Sequence, residues 1–467
     1  MARMNTNAGI PELLDSCASV PFVVKTHQPM KPMNRLLAFG VLPVVFLLGL
    51  APVFAAEVKV VDPESARKAV RDAKPGDVVV LASGEWKDAD LRLDGEGAEG
   101  NPITIRAEEP GKTMFTGASR IRLGGSHLVV SGLTLMNLNG AKADWLEFRI
   151  DSKRRANHCR VTDCMFYEQE DSTPQEEKNR WVGIFGTNNQ IDHCTFRGKK
   201  NEGATLVVWL GEEDTGGHRI VANAFVDRPR LGKNGGETIR IGDSKTATIR
   251  ANCLVEGNVF NRCDGETECI SNKSCGNVYR NNLFTETAGT LTLRHGNDCL
   301  VEGNTFVGSR VSGTGGVRVI GQGHRIVGNF FSGLEGDGFR GAICLVNGIP
   351  DSPDHGYHQV VDVEIWDNSI FDCKEAILIG HNDVKEATLA PRGLRFEGNQ
   401  VLARKGRPAV RAEGAPEDAV WKGNQIEGEL VGIEEAEGMR GAQLGPPVFP
   451  KGKRDDVGVS WSWPDKP

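Results

Sequence analysis

The chain has 467 residues, of which 57 are glycine and only 3 are tyrosine, and its formal net charge is -7. This acidic balance provides no overall positive field for DNA or RNA, so nucleic-acid binding is excluded as a general function, and a polyanionic ligand would need a local basic cluster. Abundant glycine with modest hydrophobicity favours many short strands joined by tight turns, and therefore an all-β fold.

An apolar run near the N-terminus predicts export. It spans residues 36–50, follows Lys31 and Arg35, and precedes a small-residue cleavage pattern that ends at Ala55. These are the parts of a signal peptide. A membrane anchor is the alternative, but the run contains Pro43 and is shorter than the ~20 apolar residues that a span needs. We expect an exported protein, periplasmic or extracellular, with no stable membrane anchor.

The signal peptide is assigned to residues 30–55. Residues 1–29 match no region of a signal peptide and stay unassigned, and Met30 or Met33 would be a more natural start.

Eleven cysteines are scattered along the chain. In an exported protein they suggest disulfides. However, Cys164 and Cys194 fall at equivalent places in a repeat, where stacked free thiols in a core explain them equally well. Their pairing stays open.

The first predicted element after the signal peptide is an amphipathic helix over residues 63–73, with Ser65 as a candidate N-cap and a Lys-Pro-Gly stop at 74–76. We expect it to cap one end of the fold. Strand-like runs follow at 78–82, 103–107 and 127–138.

A short motif then recurs, in which an Asn or Cys is followed two residues later by an apolar or aromatic residue. Its first residues are Cys164, Cys194, Asn223, Asn258, Asn282, Asn304, Asn329, Asn368, Asn399 and Asn424. The tightest spacings, from Asn258 to Asn329, are 24, 22 and 25 residues, which is the period of a parallel β-helix. Inward asparagines would bond from coil to coil while aromatic rings stack beside them.

The repeat predicts one domain over residues 56–435, a right-handed parallel β-helix with an N-terminal capping helix. Residues 436–467 are expected to form a C-terminal tail or cap. The 39-residue gap between Asn329 and Asn368 indicates a loop inserted at one corner of a coil, and such loops usually gather on the binding face.

The densest polar stretch spans residues 264–273. Glu266 and Glu268 are two residues apart, so on a strand both carboxylates would point to one face and could hold a hard cation. Lys273 and Arg294 are 21 residues apart, close to one coil, which would make them neighbours about 5 Å apart on one sheet. A solvated charge ladder on the solenoid surface explains this spacing equally well.

The sequence here resembles a known family. The stretch GETECISNKSCGNVYRNN, with GTLTLRHG and VEGNTFVG, is similar to the core signature of the family 6 polysaccharide lyases, which comprise alginate lyases and the dermatan-cleaving chondroitinase B. The similarity is close over residues 231–331 and looser over most of the mature chain.

The resemblance implies a set of roles. Glu266 and Glu268, with Asn234 of NGGETIRIG, would bind Ca²⁺. Lys273 would be the general base and Arg294 the general acid. Because an arginine pKa exceeds ~12, Arg294 would act mainly by stabilising the developing oxyanion, with the proton coming through water.

Three further residues lie in elements that resemble family elements near the sugar subsites. His295 follows Arg294 with opposite strand parity unless a bulge intervenes, and we favour a substrate contact over an exposed imidazole. Arg318 and Arg340 carry guanidinium groups suited to uronate carboxylates, although each could equally be structural. Glu237 and Arg240 are expected to support the site rather than to react.

The implied activity is Ca²⁺-assisted β-elimination of a 4-linked uronic-acid polymer, with alginate or a related uronan as the anionic polysaccharide partner. Lys273 would need a lowered pKa, which adjacent Ca²⁺ and Arg294 would favour. Dermatan sulfate is the alternative substrate. A non-catalytic carbohydrate-binding solenoid is the alternative of a different class, and hydrolysis by paired acids is a third interpretation.

Overall fold

The computed structural model describes residues 55–139, 144–172, 178–382, 384–441 and 456–461. Within these ranges the chain winds into successive coils, and a typical coil adds one strand to each of three parallel sheets. The prediction of an all-β, right-handed parallel β-helix is confirmed. Neighbouring strands of one sheet come from consecutive coils, so residues about one period apart become sheet neighbours.

Sheet 1 comprises the strands Glu57–Val60, Val78–Leu81, Ile103–Ala107, Leu128–Ser131, Arg160–Thr162, Gln190–Asp192, Arg219–Val221, Leu254–Glu256, Val278–Arg280, Leu300–Glu302, Arg325–Val327, Glu364–Trp366, Arg395–Glu397 and Val420–Lys422. Sheet 2 comprises Gly84–Lys87, Thr113–Thr116, Leu133–Met136, Met165–Tyr167, Thr195–Arg197, Ala224–Arg228, Val259–Cys263, Leu283–Thr285, Thr305–Val307, Phe330–Ser332, Ser369–Phe371, Gln400–Leu402 and Gln425–Glu427. Sheet 3 comprises Asp90–Glu96, Arg120–Ser126, Leu146–Glu147, Ala156–Asn157, Val182–Ile184, Leu206–Val208, Ile239–Ile241, Glu268–Lys273, Thr290–His295, Val317–Val319, Ile343–Val346, Ile377–His381, Pro408–Ala412 and Glu429–Val431.

The predicted capping helix is present as α1, Pro63–Asp72, and a single 3₁₀ turn occupies Gly338–Arg340. The N-cap prediction was wrong: the cap is Asp62, whose carboxylate accepts hydrogen bonds from the backbone N–H groups of Glu64 and Ser65. Ser65 is the third helical residue, and its hydroxyl accepts from the backbone N–H of Asp62 in return. This is a capping box, in which both partners satisfy free backbone donors.

A ladder of asparagines runs through the interior, as the repeat predicted. From Asn258 onward, the Oδ1 atom of each asparagine accepts hydrogen bonds of 2.9–3.0 Å from both the backbone N–H and the Nδ2 of the asparagine one coil earlier. The members are Asn223, Asn258, Asn282, Asn304, Asn329, Asn368, Asn399 and Asn424. Because every rung bonds both neighbours, the ladder fixes the register of the coils.

A stack of phenylalanine rings accompanies the ladder on sheet 2. Consecutive ring centroids lie 4.5–5.1 Å apart with interplanar angles of 5–19°. The rings belong to Phe166, Phe196, Phe225, Phe260, Phe284, Phe306 and Phe331. The cysteines of the described ranges are all buried free thiols, so they fill the core and do not cross-link the coils.

The signal peptide assigned to residues 30–55 lies outside the described residues except for its last position, and residues 1–29 lie outside them entirely. Near the other end, the carbonyl of Gly438 accepts from the backbone N–H and the Nδ2 of Asn424 and so ends the asparagine ladder. The segment 456–461 lies against sheet 2, where the Trp461 indole donates to the carbonyl of Asp163. No helix of the described ranges has the length and apolarity to cross a membrane.

Candidate active site

The predicted catalytic residues meet on the outer face of sheet 3, but not in the register that their spacing implied. Ser271 pairs with Thr292, which pairs with Arg318 on the next coil. Asn272 pairs with Leu293, and Lys273 then pairs with His295.

The prediction that Lys273 and Arg294 are direct sheet neighbours was therefore wrong. Arg294 is the extra residue of a β-bulge, with no partner in the register between the strands Glu268–Lys273 and Thr290–His295. A bulge re-aims the side chain that it carries. Here it turns Arg294 toward the loop that carries Gly356 and Tyr357.

The bulge is supported from inside the solenoid by Asn272. Its Nδ2 donates to the carbonyl of His295 at 2.8 Å and to that of Ser274 at 2.9 Å. Its Oδ1 accepts from the hydroxyl of Tyr279 and from Nδ2 of Asn277, each at 2.7 Å. All of these side chains are buried, so the network is a fixed part of the core beneath the site.

Lys273 is the last residue of its strand and is half-buried. Among the described residues, no hydrogen bond or ion pair engages its ammonium group. A lysine without an ion pair on this face is available to a substrate.

Two of the predicted metal ligands lie at the start of the same strand or just before it. Glu268 is its first residue, whereas Glu266 lies in the preceding bend and accepts from the backbone N–H of Gly235 at 2.9 Å. Burial, together with the negative charges of Glu237 and Glu268, raises the pKa of Glu266 to about 7. Glu237 is itself buried, and its Oε2 has no hydrogen-bond partner within the described ranges.

Asn234 lies in an exposed bend and lines a cavity of about 330 Å³ that Glu266 and Arg340 also line. Amide and carboxylate oxygens that converge on one cavity, with an unsatisfied buried carboxylate oxygen nearby, fit a hard cation such as Ca²⁺ in chemical type. In the part of the chain that the structure describes, no three His, Cys, Asp or Glu side chains form a ready-made ligand cluster. A cation would therefore depend on the amide of Asn234 as well.

A buried guanidinium supports this loop from below. Arg228, at the end of its sheet 2 strand, donates from Nε to the carbonyl of Gly236 at 2.8 Å. Its other nitrogens donate to the carbonyls of Lys199, Asn201 and Gly203. A Cβ on Gly265 would lie 2.1 Å from the Gly236 oxygen and 2.8 Å from Nε of Arg228, so only glycine allows this approach. Arg228 thus ties the loop of Asn234 to the loop of Lys199, Asn201 and Gly203, and its guanidinium lies close to Gly265.

Glu268 faces the arginines of the next two coils. Its Oε2 accepts from the hydroxyl of Ser271 at 2.5 Å. Its Oε1 lies 3.9 Å from Nε of Arg294 and 3.8 Å from Nη1 of Arg318. The carboxylate therefore lies between two groups of opposite charge. One is the acidic loop of Glu237 and Glu266, and the other is the basic cluster of Arg294 and Arg318.

Tyr357, which the sequence analysis did not single out, completes the basic cluster. Cζ of Arg294 lies 4.3 Å from the centroid of its ring, and Nη1 of Arg294 donates to the carbonyl of Gly356 at 3.2 Å. Nη2 of Arg318 donates to the Tyr357 hydroxyl at 3.1 Å. The available signal was its location: Tyr357 is one of only three tyrosines and lies in the 39-residue gap of the repeat.

Phe339 was also missed. Cζ of Arg318 and Cζ of Arg340 each lie 4.9 Å from the centroid of its ring. The ring thus joins two of the predicted substrate-binding arginines. Arg340 ends the 3₁₀ turn and lines the same cavity as Asn234.

His295 is 3% exposed, so it is not the exposed imidazole of the alternative interpretation. Burial, with the positive charges of Arg294 and Lys273, lowers its pKa to about 3. Its ring is therefore neutral near neutral pH.

Of the two residues expected to support the site, Glu237 lies beside Glu266, and Arg240 packs with Cζ 5.2 Å from the Trp209 ring.

Comparison with known proteins identifies the family of the chain. Residues 60–405 match the family described as Chondroitinase B. The chain is also similar to the solved structure of the polysaccharide lyase family 6 (PL6) alginate lyase AlyGC, with 36% identity, a TM-score of 0.79 and 88% of this chain covered. The chain belongs to polysaccharide lyase family 6. It spans 60% of the length of AlyGC.

Two other solved PL6 structures are also similar to the chain. A mannuronic acid specific family 6 lyase from human gut microbiota is 30% identical, with a TM-score of 0.69, and the match covers 82% of this chain and 89% of that one. The PL6 lyase Pedsa3628 from Pseudopedobacter saltans is 24% identical, with a TM-score of 0.69 and coverages of 87% and 100%, and supports the fold alone. A search of curated proteins found no match.

Proposed function

We propose that the protein is a lyase that cleaves 4-linked uronic-acid polymers by β-elimination, with alginate as its substrate. The observation that carries the proposal is the bulge at Arg294, which turns its guanidinium toward Tyr357 beside a lysine with no ion pair in the described ranges. A base and a cationic group for the leaving oxygen are the two functions that this elimination needs on one face.

The reaction begins with the proton at C5 of a uronate. That proton is weakly acidic because the adjacent carboxylate disfavours a second negative charge. Lys273, in its neutral form, would remove the proton. Arg294 would donate hydrogen bonds to the oxygen at C4 as its bond to carbon breaks, which stabilises the developing charge.

Asn234, Glu266 and Glu268 would hold the Ca²⁺ that the resemblance implies. When bound, the ion would neutralise the uronate carboxylate and so stabilise the enolate-like charge. The raised pKa of Glu266 supports such a site, because it reflects a buried carboxylate with two further carboxylates, Glu237 and Glu268, close by.

Arg318 and Arg340 would contact the polymer's carboxylates, and Phe339 between them fixes their spacing. The choice of alginate is supported by the AlyGC and human gut relatives, which are an alginate lyase and a mannuronic acid specific lyase. The family model is described as Chondroitinase B, so dermatan sulfate stays the alternative substrate.

The test is to incubate the purified protein with Ca²⁺ and alginate and to follow the absorbance of the new C4–C5 double bond. We expect a signal with wild type and none with Lys273→Ala. Parallel assays on mannuronate-rich blocks, guluronate-rich blocks and dermatan sulfate assign the substrate. No unsaturated product from any of these polymers would contradict the proposal, and a carbohydrate-binding solenoid would then predict binding without cleavage.

Export is part of the proposal, because an alginate polymer lies outside the cytoplasm. It rests on the apolar run at residues 36–50. N-terminal sequencing of the mature protein is expected to begin at Ala56. A mature protein that retains residues 30–55 would contradict cleavage after Ala55.

A further inference from the structure

Tyr357 occupies a central position in the basic cluster. Its ring lies under Arg294, at 4.3 Å from Cζ, and its hydroxyl accepts a hydrogen bond from Arg318. The preceding carbonyl, of Gly356, accepts from Arg294 as well. Two consecutive loop residues are thus tied to the arginine that the bulge projects, so the phenol is held at the reacting face.

The proposed elimination also needs a source for the proton that the oxygen at C4 takes, and water is the alternative to a residue of the site. A guanidinium keeps its proton up to pH ~12 and beyond, so Arg294 and Arg318 are poor donors of a proton. The ring of His295 is buried and neutral, with its pKa lowered to about 3. Oε2 of Glu268 accepts from the Ser271 hydroxyl, so that oxygen is not a proton source. The Ser271 hydroxyl is engaged by Glu268, whereas the Tyr357 hydroxyl lies against the guanidinium of Arg318.

We propose that Tyr357 is a catalytic residue that donates its phenolic proton to the leaving oxygen. The proposal rests on the proposed β-elimination. Lys273 takes the proton from C5, and the C5–H electron pair becomes the C4–C5 double bond. The C4–O4 bond breaks, its electron pair stays on O4, and O4 takes the phenolic proton.

The products of this step are a lysine ammonium and a phenolate. Arg318, which donates to the phenolic oxygen, stabilises the phenolate by hydrogen bonding, and Arg294 over the ring stabilises it by charge. The proton on Lys273 then returns to Tyr357 through solvent, and the site is reset without any further reactant.

The first test is Tyr357→Phe, which removes one oxygen and keeps the ring under Arg294. A lost proton donor typically costs about 10²–10⁴-fold in rate, so we expect kcat on alginate to fall by about 100-fold or more, with KM changed by less than about threefold. Tyr167→Phe, on sheet 2, is the matched control and should keep wild-type kcat. A Tyr357→Phe enzyme with kcat within about threefold of wild type, or with its loss confined to KM, overturns the assignment.

The second test separates proton donation from a merely structural role. A short uronide with fluoride at C4 expels its leaving group without needing a proton. Tyr357→Phe should cleave this substrate at nearly the wild-type rate, and an equal impairment on fluoride and alginate overturns the assignment. Absence of unsaturated product from wild type would instead contradict the proposed function itself, so the two failures are distinguishable.

Discussion

Lys273 and His295 are sheet neighbours, and the residue between Leu293 and His295 has no partner in the register. The carbonyl of His295 is held from inside by Nδ2 of Asn272 at 2.8 Å. The buried amide of Asn272, the residue before Lys273, therefore holds the strand end that carries the bulge of Arg294. The base and the cationic group are positioned by the same side chain.

The support of this bulge is tested with Tyr279→Phe. The variant removes the hydroxyl that donates to Oδ1 of Asn272 and leaves a buried acceptor with one partner fewer. We expect a loss of about 1–2 kcal/mol in the free energy of unfolding and a fall in kcat of about tenfold, because small misplacements of reacting groups are costly. KM should stay near wild type. Unchanged kcat in a destabilised variant would show that the network serves the fold alone.

The pH dependence of stability tests the acidic loop. The pKa of Glu266 is raised from its usual 4.5 to about 7 in the folded state, so the folded state binds the extra proton. The contribution of Glu266 to the free energy of unfolding is fully present below pH 4.5 and is lost as the pH rises through 7. Glu266→Gln removes this loss, so between pH 5 and 8 its free energy of unfolding should exceed that of wild type by about 1–2 kcal/mol after screening by solvent, as measured by chemical denaturation.

Calcium titration uses the same variant. Added Ca²⁺ should raise the melting temperature of wild type at pH 8, since a ligand that binds only the folded state stabilises it. Glu266→Gln should lose most of that increase. Glu364→Gln, on sheet 1, is the control and should respond as wild type does. An equal response of all three proteins would contradict the assignment of Glu266 as a ligand.

Arg228→Lys tests the guanidinium beneath the loop of Asn234. A lysine keeps the charge but cannot reach all four carbonyl groups, which leaves buried acceptors without donors. We expect a loss of about 2–4 kcal/mol in stability together with weaker Ca²⁺ binding by calorimetry. Weaker folding with wild-type Ca²⁺ affinity would contradict the link between Arg228 and the loop.

The asparagine ladder offers a test of the fold. Asn304→Ala removes the oxygen that accepts from both the backbone and the side chain of Asn282. Two buried donors lose their partner, and we expect a loss of about 2–4 kcal/mol by chemical denaturation. Thr305→Ala, the next residue, should cost less than about 1 kcal/mol. Equal effects of the two substitutions would argue against the ladder as a source of stability.

The ladder and the phenylalanine stack were predictable because they repeat. Asn258, Asn282 and Asn304 recur at one coil's spacing, and a solenoid converts that spacing into contact. The resemblance of the 231–331 segment then selected the residues that meet on sheet 3.

The bulge at Arg294 was not predictable in the same way. Its spacing from Lys273 is 21 residues, which fits direct pairing, and a single extra residue leaves no mark on the period. The N-cap prediction was wrong because Asp62 and Ser65 are both good capping residues. Pro63, which is favoured at the first helical position, makes Asp62 the cap. Tyr357 was missed because a loop outside the repeat brings it to Arg294.

The central claim is that polymer chains are broken by elimination at Lys273. Cleavage of alginate in water enriched with ¹⁸O, followed by mass spectrometry of the products, tests it most directly. Elimination predicts products with an unsaturated uronate at the new non-reducing end and no ¹⁸O introduced by cleavage, and no products from Lys273→Ala. Saturated products that carry ¹⁸O at the new reducing end, or full activity of Lys273→Ala, would contradict it.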